Sequence, residues 1–303
     1  MGHHHHHHNQ CNHSHHHHHH SHDGSKNILL AFFLNASFSV IEFIGGYFTN
    51  SVAIYSDALH DLGDSLALLF SYFAEKLSHK KADQSFTFGY QRFSVLAGLI
   101  NGIILLLGSV YVLYEAVNRL QNPEPVHAQG MILLALLGMA VNGFAAYRLS
   151  KNEGINSKMV MYHMLEDLLG WVAVFIVSII LLFKPWYVLD SLLSILIALL
   201  ILKGVAVNLF NVAKIFLQKF PDRLEREKII QTISQYELVE NVHFLQGWSL
   251  DDSKFNLTLH IRVAPHATIR DLDQLRKKIV AFLKDEHVIY STIQFEGEDC
   301  VIQ

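Results

Sequence analysis

Six apolar segments set the rhythm of the first two thirds of the chain. They run over residues 27–48, 51–77, 93–117, 129–149, 157–183 and 187–209. Each is long enough to cross about 30 Å of hydrocarbon, which takes roughly 20 helical residues. Turn and polar signals separate them: Thr49-Asn50, residues 78–91, Asn122-Pro123-Glu124-Pro125, residues 151–156 and Lys184-Pro185. The segments lack the alternation of barrel strands and are too long for them, so six transmembrane helices are predicted. Past residue 214 the period changes. Residues 224–236 read as a helix and 239–250 contain a strand. Residues 255–263 alternate as a second strand, with Asn256, Thr258, His260 and Arg262 on one face. An amphipathic helix over 268–283 opens on Thr268 as cap, and 288–295 is a last strand. The order αββαβ predicts a small α+β sandwich of ferredoxin-like type, with its helices on one side of the sheet. Three parts result: a tail over 1–26, a six-helix membrane domain over 27–213 and an αββαβ domain over 214–303.

Composition supports this division. Half the residues are hydrophobic and 17% are charged, below the roughly 25% of soluble domains, and the deficit falls in the apolar segments. The net charge of −4 gives no sign of a nucleic-acid partner. The cysteines, Cys11 and Cys300, stand at opposite ends, which excludes a disulfide framework and fits a reducing compartment. Basic residues orient the helices. One set of ends carries Lys26, then Lys76, Lys80, Lys81 and Arg92, then Arg148, Lys151 and Lys158, then Lys214, Lys219 and Arg223; the other set offers Arg119 and Lys184. By the positive-inside rule both termini are cytosolic, with the lipid bilayer as the protein's solvent between. No signal-peptide pattern precedes Asn27. Fourteen of the 22 histidines fall within the first 22 residues. His3 to His8 after Met1-Gly2 resemble a purification tag, whereas His13, His15 to His20 and His22 around Cys11 read as a disordered metal buffer, because neutral imidazole is a zinc ligand.

Ionisable residues inside apolar helices are costly and mark functional sites. The second segment holds Asp57, His60, Asp61 and Asp64; the fifth holds His163, Glu166 and Asp167. Each contains a histidine followed four residues later by an aspartate, His60 with Asp64 and His163 with Asp167, and residues four apart share a helix face. One such pair can be a satisfied polar contact between helices. Two pairs at mid-membrane depth on different helices predict one four-coordinate metal site of two imidazoles and two carboxylates, a set that suits zinc. The carboxylates also offset the ion's charge in a medium of low dielectric. Asp57 stands one turn before His60 and lines an approach or bonds a neighbouring helix; Asp61 and Glu166 point off the ligand face. Glu42, Asn35, Asn101 and Asn142 read as interhelical polar contacts, and His79, His127, His266 and His287 as solvated.

Six spans with His-x-x-x-Asp in the second and fifth, followed by an αββαβ domain, resemble the cation diffusion facilitator family. The strings Ser56-Asp57-Ala58-Leu59-His60 and Phe86-Thr87-Phe88-Gly89-Tyr90-Gln91-Arg92, leading into Leu96-Ala97-Gly98-Leu99-Ile100-Asn101, are similar to that family's second helix and the loop into its third. The resemblance covers the chain from Asn27 onward. It implies a homodimeric antiporter that moves a divalent metal out against protons, with the two-His two-Asp site pointing to zinc and sometimes cobalt or cadmium. It also implies a second, cytosolic zinc site. Val242-His243-Phe244-Leu245-Gln246 is similar to a strand motif that usually carries two histidines, of which the second is here Gln246. His260 and Glu296 match zinc-binding positions of some members, with Cys300 nearby; surface strand residues are the alternative reading. Proton coupling has a basis in the ligands themselves, since zinc needs neutral imidazole and ionised carboxylate. A metal sensor or buffer is the competing function; an intramembrane zinc hydrolase is disfavoured because four protein ligands leave no open position. No Gly-x-x-x-x-Gly-Lys loop is present, which argues against direct drive by ATP. The short 150–157 connection points to a bacterial inner membrane.

Overall fold

The computed structural model of the protein describes residues 23–297 apart from 79, 81 and 151–154. The histidine tract, His79 and Cys300 therefore lie outside the described residues. Six long helices come first: α1 (Asp23–Thr49), α2 (Val52–Ser78), α3 (Arg92–Gln121), α4 (Ala128–Ser150), α5 (Ile155–Phe183) and α6 (Val188–Phe216). To within one residue each contains its predicted apolar segment and continues into polar flanks. Among the described residues, four stretches are long and apolar enough to cross a membrane: Arg92–Gln121, Ala128–Tyr147, Met164–Phe183 and Val188–Phe216. α2 differs because its sequence includes Asp57, Asp61, Asp64, Glu75 and Lys76.

The helices pack mainly as α1 with α2, α3 with α6 and α4 with α5. Small residues permit these approaches. A Cβ on Gly138 of α4 would lie 2.2 Å from the ring of Trp171 on α5, and one on Gly63 of α2 would lie 2.2 Å from Leu105 on α3. Polar contacts fix the rest. Asn35 Nδ2 donates to the Asp61 carbonyl at 3.0 Å and to Ser65 Oγ at 3.2 Å, and Ser39 Oγ donates to the Ala58 carbonyl at 2.9 Å, so α1 is stitched to α2. Asn35 is thus the interhelical contact expected of it. Asn142 Nδ2 donates within α4, to the Gly138 carbonyl at 3.2 Å.

The α1–α2 turn is tight, with Asn50 at φ 54°, a left-handed conformation that Asn tolerates. Arg119 of α3 holds this turn through the Asn50 carbonyl at 2.7 Å and Asn50 Oδ1 at 2.9 Å. Asp190 of α6 caps the start of α2, accepting from Ser51 Oγ at 2.5 Å and from the Val52 N–H at 2.8 Å. His127 also acts as a cap: its Nδ1 accepts from the Gly130 N–H at 3.1 Å at the start of α4.

The C-terminal domain is α7 (Arg226–Ser234), β1 (Val239–Ser249), β2 (Phe255–Val263), α8 (Ile269–Asp285) and β3 (Val288–Glu296). Strand order is β1-β2-β3, with β1 antiparallel and β3 parallel to β2. Thr268 caps α8 in a reciprocal box with Asp271, which satisfies two otherwise orphaned backbone donors. Ile229 and Ile233 of α7, and Leu275, Ile279 and Leu283 of α8, join Leu257, Leu259 and Ile261 in the core. Gly247 is required where β1 meets β2. A Cβ there would lie 2.2 Å from Leu257 and 2.6 Å from the Asn256 carbonyl oxygen, and the latter, being backbone, has little room to yield. Gly247→Ala is expected to destabilise the domain by about 1–3 kcal/mol, measured as an earlier urea midpoint in the fluorescence of Trp248.

The α2–α3 loop reaches this domain. Asp83 orders it, accepting from the Ser85 and Phe86 N–H groups at 2.9 and 2.8 Å and from the Tyr90 hydroxyl at 2.6 Å. The Tyr90 hydroxyl, with those backbone donors, holds the Asp83 carboxyl well below the usual carboxylate range. Phe88 then sets its ring edge-on to Trp248 and Tyr290, at centroid distances of 6.3 and 5.3 Å. Both lie opposite Asn256 in the strand register, so Phe88 sits on one row across the sheet.

Candidate metal centre

The site begins with the period of α2. His60 and Asp64, one turn apart, project from the same face, and His60 Nε2 lies 3.8 Å from Asp64 Oδ2. Asp167 comes from α5 and places Oδ1 3.9 Å from the same nitrogen. Two ligand atoms about 2.0–2.1 Å from a tetrahedral ion stand about 3.3 Å apart, so these separations exceed a hydrogen bond and fall close to the spacing of metal ligands. Asp167 is 9% exposed, whereas His60 and Asp64 retain 28% and 29% of their side-chain surface. His163 stands one turn before Asp167 on α5; its side chain lies outside the described residues.

Around this group the remaining acids divide. Asp57 is buried, and its Oδ1 faces α5, 3.9 Å from where a Cβ on Gly170 would be. Asp61 is buried, with its backbone carbonyl held by Asn35. Glu166 is exposed. Glu42 of α1 is 1% exposed, and its electrostatic neighbours are the carboxylates of Asp61, Asp57 and Asp167. Behind the ligands Trp171 is buried against Gly138 and edge-on to Phe38 at 6.1 Å. Asp190 went unrecognised in the sequence, since a residue 138 positions from the turn it caps leaves no local signal.

The second cluster lies on the sheet face away from the helices. His243 Nε2 is 2.8 Å from Glu296 Oε2, and His260 Nδ1 is 2.9 Å from Glu296 Oε1. One ligand atom from each of the three lies within 4.8 Å of the others. A β-bulge makes this possible. Val242 pairs with Ile261 and Phe244 with His260, which leaves His243 as the extra residue. Strict alternation would send Val242 and Leu245 to opposite faces, yet both are in the core; the bulge turns His243 and Phe244 outward together. Gln246 is exposed.

A membrane domain with paired histidine and aspartate on two helices, followed by a sheet domain with its own His-His-Glu cluster, defines a membrane transporter of metal cations. Residues 28–217 match the family model of the cation efflux transmembrane domain, and residues 221–298 that of the cation efflux protein cytoplasmic domain. The chain is 35% identical over 282 residues to the cadmium, cobalt and zinc/H(+)-K(+) antiporter of Bacillus subtilis, covering 90% of this chain and 89% of that one. It is 32% identical to the metal cation efflux system protein CzcD of Cupriavidus metallidurans, covering 92% and 90%. It is 31% identical to the zinc transporter ZitB of Escherichia coli, covering 92% and 89%. The chain belongs to the cation diffusion facilitator family, whose members are metal cation efflux transporters and not enzymes.

Proposed function

We propose that this chain exports zinc from the cytosol in exchange for protons, through a site of His60, Asp64, His163 and Asp167. The observation that carries the proposal is the meeting of His60 Nε2 with carboxylate oxygens from both α2 and α5 at 3.8 and 3.9 Å. A set with nitrogen ligands favours zinc over harder ions and also admits cadmium and cobalt, the metals in the Bacillus relative's name. Protons compete with the metal for the same atoms, so loading from a neutral cytosol and release toward a more acidic exterior follow from one equilibrium. All six long helices span the bilayer, both termini are cytosolic, and residues 1–26, 27–213 and 214–303 act as tail, membrane domain and cytosolic domain of a homodimer in a bacterial inner membrane. The purified protein in vesicles should move zinc with an opposite flux of protons. Zinc flux that leaves the proton gradient untouched, or that follows an imposed potassium gradient alone, would overturn the proposed coupling.

His243, His260 and Glu296 hold a regulatory zinc in the cytosolic domain, with Cys300 as a further ligand. The three clustered side chains support this reading, and their 5–27% side-chain exposure leaves room for solvent or a fourth ligand. His260→Ala is expected to remove one bound zinc per chain in equilibrium dialysis while transport through the membrane site continues.

The tail delivers metal. A short flexible tether raises local ligand concentration to about the millimolar range. Deleting residues 1–23 should therefore raise the zinc concentration for half-maximal flux and leave the maximal rate unchanged. A half-saturation point that stays fixed removes the delivery role.

A further inference from the structure

We infer that Asp190 and Arg119 form a clasp that shuts the metal centre off from the end of the bundle away from the C-terminal domain, and that the clasp parts when an ion leaves there. The inference rests on the proposed metal centre and direction of transport. Both residues belong to the α3–α6 pair, Arg119 in the last turn of α3 and Asp190 in the first turn of α6. Both grip the other pair at its turn, where α1 gives way to α2. Arg119 is 12% exposed and donates to the Asn50 carbonyl at 2.7 Å and to Asn50 Oδ1 at 2.9 Å. Its Nε donates to Glu115 at 2.9 Å, and Glu124 accepts from Asn50 Nδ2 at 3.1 Å. Next along the chain, Asp190 accepts from Ser51 Oγ with one oxygen and from the Val52 N–H with the other.

Asp190 does more than cap a helix. α2 has a cap of its own, because Ser51 Oγ accepts from the Ile54 N–H at 3.3 Å, the arrangement of a serine at the N-cap. The carboxylate is therefore surplus to α2 alone, and what it adds is a tie to α6. Asp190 and Ser51 are 1% and 0% exposed. A charge so withdrawn from water needs hydrogen bonds in place of the lost hydration, and the positive end of the α2 dipole adds to them. Behind the clasp lies an apolar layer. Ala53, Ile54, Met131, Trp171, Leu181 and Leu193 belong to one buried cluster drawn from α2, α4, α5 and α6. Along α2 and α5, its members stand between the α1–α2 turn and the level of His60 and Asp167. His60 follows Val52 by eight residues, about 12 Å down the helix. An ion leaving toward the turn meets first the apolar layer and then the clasp. Apolar contact alone sets no register between two helix pairs, whereas directional bonds do. When the turn swings into water, water replaces each lost partner, so the clasp can part and re-form at small net cost.

Thiol labelling of the full chain in vesicles tests the clasp, after Cys11→Ser and Cys300→Ser. Ala53→Cys, at a position 0% exposed, reports from just inside it. A membrane-impermeant, charged thiol reagent is added from the face away from the C-terminal domain. Asp190→Asn keeps the shape of the side chain but sets a donor against the Val52 N–H or the Ser51 hydroxyl. It should speed reaction at position 53 at least about tenfold, the size of one lost hydrogen bond to a charged group. Val205→Cys, at a position 6% exposed on α6 and nearer the C-terminal domain, should react at an unchanged rate, whereas a general loosening of the fold would speed both. Arg119→Gln gives the same comparison where Asp190→Asn does not reach the membrane. An unchanged rate at position 53, or an equal acceleration at position 205, would overturn the clasp. The labelling needs no ion, so its outcome is separate from whether zinc binds at His60 and Asp167.

Discussion

Asp167→Ala is expected to abolish zinc flux, by at least about 100-fold, since even partners that only orient a metal ligand cost 10–100-fold when removed. The same is expected of Asp64→Ala. Either change leaves the ion with one negative charge against two positive ones in a medium that cannot screen the imbalance. The apo fold should be little affected, because the lost carboxylate is an unfavourable group in the membrane when no metal is bound. The measurement is vesicle zinc uptake beside a thermal unfolding curve in detergent. Flux within a factor of about two of the parent in both variants, with normal unfolding, would remove these residues from the site. Asp167→Asn is the informative control. It keeps shape and one oxygen but no charge, so if it fails as Asp167→Ala does, charge compensation dominates over ligand count.

Replacing both imidazoles is expected to change which metal is carried. His60→Asp with His163→Asp gives an all-oxygen set, which suits harder ions such as manganese. Zinc flux is expected to fall more than about tenfold while manganese flux becomes measurable, because the two nitrogens are what favoured zinc over manganese. Competition between the two metals in one assay gives the ranking directly. Zinc preference intact in the double variant would place selectivity outside these four positions.

Much of the membrane centre was legible because its signal is local. A His-x-x-x-Asp pair needs only the helical period to become a pair of neighbours, and its cost in an apolar helix marks it as purposeful. Two such pairs predicted a meeting of α2 with α5, and the structure places His60 Nε2 3.9 Å from Asp167 Oδ1. What was not legible depends on distant partners. Asp190 reads as an isolated acid near a helix start until its place over Ser51 and Val52 is seen. Asn101 and Asn142 look alike in sequence, yet one lines a cavity and the other bonds back onto its own helix. In the C-terminal domain, alternation located β2 but could not locate the bulge at His243, because an inserted residue leaves the same letters and changes only the register. Phe88 belongs to the same group: its partners Trp248 and Tyr290 lie more than 150 residues further along.

The division of the centre between helix pairs has a mechanical meaning. His60 and Asp64 ride on α2, which Asn35 and Ser39 fasten to α1; Asp167 rides on α5, which Gly138 and Trp171 fit closely to α4. The jaws of the clamp therefore belong to separate stiff bodies. A slide of α5 along α2 by the rise of one helical residue, about 1.5 Å, is comparable to the whole length of a metal–ligand bond of about 2 Å. If these residues hold the ion as proposed, one such step of α5 past α2 would be enough to open the site.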